Sequence, residues 1–230
     1  MRITESRLRR IIREELLREN EGEANVKDKN IFDEAQVLGT ARVTDNAMVT
    51  DNAMVSGNAR VSGNAVVSVR AQVSDDAVVS EFAVVQDDSE VYGNAEVSGN
   101  ARVYGRAQVY GEAKIQNNAK ISANAQVYGN AVVSDNSVVF GQAHVSEDAQ
   151  LLKDSQVYGS AKVFGKAVLS GKIFVADRAQ VYGEAKIIGD EIRLLKDARI
   201  GGTAEILGGK WDGSEGEITS GRWKGPRVKA

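Results

Sequence analysis

The amino-acid sequence predicts an all-β solenoid, a chain that bends every six residues and coils around a slim apolar interior. The composition is the first observation, because 30 Val and 28 Ala against 10 Leu suit a narrow β core better than a helical one. The second is a repeat: from Ala35 to Ala185 a small residue occurs at every sixth position, and Val, Ile or Leu follows two residues later. The third is that Gly, Asp and Asn, which tolerate positive φ, occupy the positions between these units.

Each hexad predicts a very short strand followed by a bend. Residues two apart on a strand point the same way, so the small residue and the Val face inward together. The small position is Ala in all but four hexads, which have Ser89, Ser137, Ser155 and Ile173 there. Three sides of six residues make an 18-residue coil, and the tripeptide Ala-Gln-Val begins at positions 35, 71, 107, 125 and 179, which differ by multiples of 18. The sequence therefore predicts a triangular coil in which one side stacks glutamines on glutamines.

Aromatic residues follow the valines of that same side in the C-terminal half of the repeat. Stacked coils lie about 4.8 Å apart, so these rings are predicted to form an exposed ladder beside the glutamines. The predicted interaction ladder comprises Tyr92, Tyr110, Tyr128, Phe164, Tyr182, Gln108, Gln126 and Gln180. Base stacking, sugar stacking, contact between subunits and plain stabilisation of the sheet all use such rings. No comparable run of rings is predicted on the other two sides.

Units such as NARVSG and NAQVYG resemble the hexapeptide repeat of left-handed parallel β-helix proteins. The resemblance implies left-handed coils and favours a homotrimer. After Ile187 the rhythm resumes one residue late, in the pairs Ile192/Leu194, Ala198/Ile200 and Ala204/Ile206. The predicted β-helix therefore covers residues 35–207.

Many members of that family are acyltransferases in which a loop leaves the coil and carries a catalytic His. Here the hexads run without an insertion, and His144 is the one His of the chain. The γ-class carbonic anhydrases, another branch, need three His for zinc, and there is no Cys to replace them. We therefore predict no catalytic, cofactor-binding or metal-binding residue, no cofactor and no enzymatic activity; His144 is interpreted as a solvated surface residue.

The N-terminal segment is of a different kind. Over residues 1–22, apolar residues at spacings of three and four predict a short amphipathic α-helix, followed by a polar linker over 23–34. The predicted docking or capping helix uses Leu8, Ile11, Ile12 and Leu16, with Arg9 and Arg13 beside them. The opening residues also resemble a short tag of otherwise unrelated proteins of large tailed bacteriophages, and the matching residues are Arg2, Ile3, Thr4, Leu8, Arg9, Ile11, Ile12, Arg13 and Glu14. The resemblance implies a docking address shared by virion proteins.

The C-terminal segment, residues 208–230, is predicted to be a cap or tail in which Trp211 and Trp223 cover the last layer of the core. No signal peptide and no membrane span are predicted, because no apolar run is long enough, and a net charge of −3 disfavours a nucleic-acid binder. A membrane partner is disfavoured as well, because the N-terminal segment is nearly neutral.

These observations favour a non-enzymatic structural or interaction protein. The expected molecule is a stiff homo-oligomeric rod, tethered by its N-terminal helix to a docking protein or virion component. The expected location is a virion or the host cytoplasm if a phage encodes the chain, and the cytoplasm otherwise. The alternatives are a divergent hexapeptide-repeat acyltransferase with a pocket between subunits, an adhesin, and a cytoskeletal polymer resembling bactofilins.

Overall fold

The structure, a computed structural model, describes residues 30–226 and 228–229, and in them the chain forms a parallel β-solenoid. Each coil contributes one short strand to each of three sheets, and strands 18 residues apart pair in parallel, as Gln108 does with Gln126. The predicted all-β fold class and the 18-residue coil are thus confirmed. The described residues contain no α-helix, and the helix predicted over 1–22 lies outside them.

The three sheets are named here by the order in which the chain meets them. The first sheet has 11 strands: β1 (Gln36–Val37), β4 (Met54–Val55), β7 (Gln72–Val73), β10 (Glu90–Val91), β13 (Gln108–Val109), β16 (Gln126–Val127), β19 (His144–Val145), β22 (Lys162–Val163), β25 (Gln180–Val181), β28 (Arg199–Ile200) and β31 (Glu217–Ile218). The second sheet has 12 strands: β2 (Arg42–Val43), β5 (Arg60–Val61), β8 (Val78–Val79), β11 (Glu96–Val97), β14 (Lys114–Ile115), β17 (Val132–Val133), β20 (Gln150–Leu152), β23 (Val168–Ser170), β26 (Lys186–Ile188), β29 (Glu205–Ile206), β32 (Arg222–Gly225) and β33 (Val228–Lys229). The third sheet has 10 strands: β3 (Met48–Val49), β6 (Val66–Val67), β9 (Val84–Val85), β12 (Arg102–Val103), β15 (Lys120–Ile121), β18 (Val138–Val139), β21 (Gln156–Val157), β24 (Ile173–Val175), β27 (Ile192–Leu194) and β30 (Lys210–Trp211).

The interior is a column of small and branched side chains. The Ala of each regular hexad and the Val, Ile or Leu two residues later are buried along the length of the coil. The serines that replace Ala are buried too, and their hydroxyls are satisfied by backbone carbonyls: Ser89 Oγ donates to Gln86 at 2.7 Å, and Ser155 Oγ donates to Leu152 at 2.8 Å. A hydroxyl is therefore compatible with this position because the corner of the coil supplies an acceptor.

The corners turn by placing their first residue in the left-handed region, with φ close to +60° to +75°. At several corners the N–H of this residue donates to an acidic side chain one coil earlier. Asp45 accepts from the N–H of Gly63 at 3.1 Å, and Asp75 accepts from Gly93 at 3.0 Å. Asp therefore suits these corners for two reasons. It tolerates positive φ, and its carboxylate accepts a hydrogen bond from the backbone N–H of the corner residue one coil later.

The predicted slip of phase is confirmed by the strand register. Ile173 pairs with Ile192, a separation of 19 residues, because the corner after β26 contains one additional residue. The corner one coil earlier is also irregular, with Gly171 at φ +132°. Gly171 precedes Ile173, which is fully buried at a position where the preceding coils of the same column have Ala or Ser.

At the C-terminal end the coil continues past residue 207. Trp211 in β30 is 1% exposed, and its ring meets that of Trp223 edge-on at 6.1 Å. β33 then pairs antiparallel with β32 and occupies the edge of the second sheet. An antiparallel strand at this edge blocks the addition of another parallel coil there.

Candidate functional site

The predicted aromatic ladder lies on the first sheet, one ring per coil. Tyr92, Tyr110 and Tyr128 stack with centroids 4.9 Å apart and planes inclined by 3° at both steps. Each follows a strand of identical register, so the parallel pairing of the strands places the rings directly above one another. The rings are half-buried rather than fully exposed, since each covers the next.

The ladder is divided into two segments. Ser146 occupies the position between Tyr128 and Phe164 and is 6% exposed. Beyond it, Phe164 and Tyr182 stack at 5.4 Å. Tyr182 ends the second segment by leaning over Gly201, where a Cβ would overlap its ring.

The glutamine line beside the rings is also divided. Gln126 Nε2 donates to Gln108 Oε1 at 2.9 Å, and Gln108 Nε2 donates to Glu90 Oε2 at 2.9 Å. Gln180 lies further along the same sheet, separated from this line by His144 and Lys162. Within the first sheet, Glu90 and Lys162 therefore lie at opposite ends of a column of five residues and are four coils apart.

Burial shifts the pKa of two tyrosines of the ladder and of His144. Burial, followed by the neighbouring Tyr92 and Tyr128, raises the pKa of Tyr110. Burial also raises the pKa of Tyr92, with Glu90 and Asp75 acting in the same direction. Burial and the charge of Lys162 lower the pKa of His144. The raised pKa values favour the neutral phenols of Tyr92 and Tyr110, and the lowered pKa favours the uncharged form of His144.

Ion pairs elsewhere on the surface run along the rod axis. Arg70 forms two hydrogen bonds to Asp88 in the next coil, at 2.6 and 3.0 Å, and Arg178 does the same with Asp197 at 2.8 Å. The guanidinium groups lower the pKa of both carboxyls. These pairs are exposed, so they contribute little individually.

The third sheet carries rings that the sequence analysis did not single out. Phe140 and Tyr158 stack at 5.0 Å, and Tyr104 occupies the same column two coils before Phe140. Phe82, at a corner between the second and third sheets, is 60% exposed. The signal was present, because residues 104, 140 and 158 are separated by multiples of 18, but Ser122 interrupts the run.

Within residues 30–226, no cluster of three or more His, Asp or Glu is placed to hold a metal ion. No helix in the described part is long and apolar enough to cross a membrane. The most regular surface features of the described residues are the columns of stacked side chains on the first and third sheets.

Comparison with known proteins finds one family model. Residues 53–68, 95–111 and 125–141 match the YdcK beta solenoid repeat. No curated protein and no solved structure matches the chain. The match and the three-sheet coil together support the resemblance to left-handed β-helix repeat proteins.

Proposed function

We propose that this chain, a β-solenoid repeat protein, is a non-enzymatic rod that associates with another copy through the first sheet and is tethered to a larger assembly by its N-terminal segment. The stacked rings of Tyr92, Tyr110 and Tyr128, on a flat face beside a line of amides, carry the proposal. The short connections support the absence of catalysis, because no more than five residues separate consecutive strands of the described coils and no long loop is present there to enclose a substrate.

The first sheet fits a protein partner because its rings are already ordered. Tyrosines in a stack lose little side-chain entropy when they are covered, and aromatic residues are enriched in protein interfaces. The amides of Gln108 and Gln126 are oriented along the rod by their hydrogen bonds to each other and to Glu90. The face therefore combines apolar area with fixed polar groups.

The charge pattern favours a two-fold, antiparallel arrangement of two rods. If the first sheets face each other about an axis at the level of Gln126, Glu90 of each copy meets Lys162 of the other. The same axis places Tyr110 of each copy opposite Ser146 of the other, where the ladder has its gap. A face that pairs with itself produces a closed dimer, whereas the trimer implied by the family resemblance requires two different faces.

Reversal of the charges tests this arrangement. Lys162→Glu is expected to weaken dimerisation by about tenfold, because two Glu90 side chains would then face new carboxylates. The double variant Glu90→Lys with Lys162→Glu should restore most of the affinity. Sedimentation equilibrium measures both, and a mass of three chains, or a double variant as weak as the single one, would reject the antiparallel dimer.

Ser146→Tyr separates association from plain stabilisation of the sheet. The new ring completes the ladder within one chain but occupies the space assigned to the partner's Tyr110. The melting temperature should stay the same or rise while the dimer dissociates. A fully dimeric Ser146→Tyr chain would contradict the proposed register.

The tether is tested by removing residues 1–22. A phage virion is the assembly that the sequence of this segment favours, so the readout is the number of copies per virion by quantitative mass spectrometry. The truncated chain should keep its circular dichroism and its self-association but be lost from the particles. Leu8→Asp with Ile12→Asp in the full-length chain is the matched variant and should behave like the truncation.

A different outcome assigns the segment another role. If the truncated chain melts at a lower temperature and populates aggregates, the segment caps the solenoid instead of tethering it. If it enters particles as well as the intact chain does, the tether proposal fails.

A further inference from the structure

We infer that the third sheet contains a second site, which binds a planar aromatic ring carrying a negative charge, such as a nucleotide, between Tyr104 and Phe140. The floor of the site is Ser122, and its cationic side is formed by Arg102 and Lys120. This site is independent of the proposed contact through the first sheet.

The first observation is a gap one ring wide. Tyr104, Ser122 and Phe140 follow the paired strands β12, β15 and β18, so they form one column with one residue per coil. Two coil steps separate the two rings by about 9.6 Å, which places an inserted ring about 4.8 Å from each, within the range preferred for stacked rings. Ser122 is 8% exposed, and its side chain is too short to fill the space between two rings that are two coils apart.

Phe140 shows an unused ring face. Its stacking on Tyr158 at 5.0 Å accounts for one face, and the residue is nevertheless 37% exposed. The rest of its ring lies on the side of Ser122. An aromatic ligand placed there would continue an existing stack.

The second observation is a pair of like charges. Arg102 and Lys120 are direct neighbours in the parallel register, and the residues on either side of them in the column are Val84 and Val138. Like charges in this relation destabilise a sheet. In the described part of the chain, neither forms an ion pair, whereas seven other cations do. An anionic ligand would remove the repulsion.

Two carboxylates at the corner after the third sheet already have partners. Asp87 accepts the N–H of Gly105 at 3.0 Å, and Asp88 is held by Arg70 through two hydrogen bonds. Arg106 follows at the same corner, one coil after Asp88, and adds a third positive charge to this part of the chain.

The distance between the aromatic side chain and the positive charge matches the distance between the base and the phosphate of a nucleotide. Arg102 and Tyr104 lie on the same face two residues apart, which corresponds to about 6.6 Å along a strand. A sugar spans such a distance between its base and its phosphate. The structure thus fits a nucleoside phosphate better than an isolated ring or an isolated phosphate.

Adenosine monophosphate is the probe, with adenosine and ribose 5-phosphate as the two halves. Calorimetric titration of the full-length chain should give a Kd on the order of 0.1–1 mM for the nucleotide. Each half should bind at least about tenfold more weakly, because it lacks either the stacking or the charge. Equal binding of ribose 5-phosphate, or no saturable binding of the nucleotide, would overturn the site.

Two variants locate the binding. Ser122→Tyr fills the gap with a ring of the kind that Tyr110 already supplies on the first sheet, so the fold should persist while binding is lost. Ser98→Tyr, in the second sheet, is the matched control and should bind as the unmodified chain does. Lys120→Glu should weaken binding by about tenfold. Unchanged binding by Ser122→Tyr would reject the site.

A ten-residue adenine oligonucleotide identifies the source of the ligand. One gap accommodates one base, so the strand is expected to bind about as tightly as the free nucleotide. Binding more than about tenfold tighter, with a steep dependence on salt, would support the same chemistry with a single strand as the natural ligand.

Discussion

Gly171→Ala is expected to lower the free energy of unfolding by about 2–4 kcal/mol, through strain and overlap at one corner. Gly171 is buried and has φ +132°, a conformation that residues with a Cβ rarely adopt. A Cβ there would overlap the carbonyl oxygen of Gly189 in the next coil. The backbone cannot easily withdraw, because the carbonyl of Gly171 accepts from Ile173 N at 3.0 Å and from Ser155 Oγ at 3.2 Å.

Gly216→Ala is the matched control for this experiment. Gly216 also has a positive φ, +75°, but no atom lies within 4 Å of the added Cβ. Gly216→Ala should lower the free energy of unfolding by about 1 kcal/mol, because only the backbone conformation disfavours a Cβ there. Denaturant unfolding followed by circular dichroism compares the two, and equal losses would show that the contact with Gly189 is not what requires glycine.

Ala101→Leu is expected to destabilise the fold by about 1–3 kcal/mol or more, because it adds three carbons to a fully packed interior. Ala101 is completely buried and belongs to a column that continues through Ala119, Ser137 and Ser155 to Ile173. Ile occupies this column only at Ile173 and Ile192, each of which follows an irregular corner, with Gly171 at φ +132° and Gly189 at φ +144°. The corner before Ala101 is regular, with Gly99 at φ +72°.

Ala101→Ser is the control for volume. Serine occupies the same column at residues 137 and 155, where its hydroxyl bonds to a backbone carbonyl. The melting temperature of the Ala101→Ser variant should therefore remain close to that of the unmodified chain. A Leu variant that melts like the Ser variant would show that the interior at this level is not closely packed.

The ladders show how far a periodic sequence can be interpreted. The multiples of 18 between Gln108 and Gln126, and between Tyr92, Tyr110 and Tyr128, predicted their stacking, and the strand register places them in contact. The same arithmetic grouped Gln180 with the other glutamines, although His144 and Lys162 intervene. A period assigns a residue to a face, but contact also requires every intermediate coil to carry a compatible side chain.

In the third sheet the sequence analysis made the opposite error, because it overlooked a column of rings that obeys the period. Tyr104, Phe140 and Tyr158 obey the period, but a search for unbroken runs passes over a column that Ser122 interrupts. Only the structure shows that Phe140 keeps an open ring face and that Arg102 and Lys120 are left without acidic neighbours. A gap in a column of rings can be recognised in a sequence only when the residues one coil before it and one coil after it are known to flank it.

By itself the sequence determined the coil: six-residue spacing of Ala and Val dictates which atoms face inward, since side chains alternate along a strand and Asp or Gly permits each bend. The tertiary structure alone decided where columns break, which corners widen, and which charges remain without a partner. These features depend on distances between residues 18 or 19 apart, across separate coils. The structural propensity of a short segment contains no information about such contacts, because the packing of one coil on the next creates them.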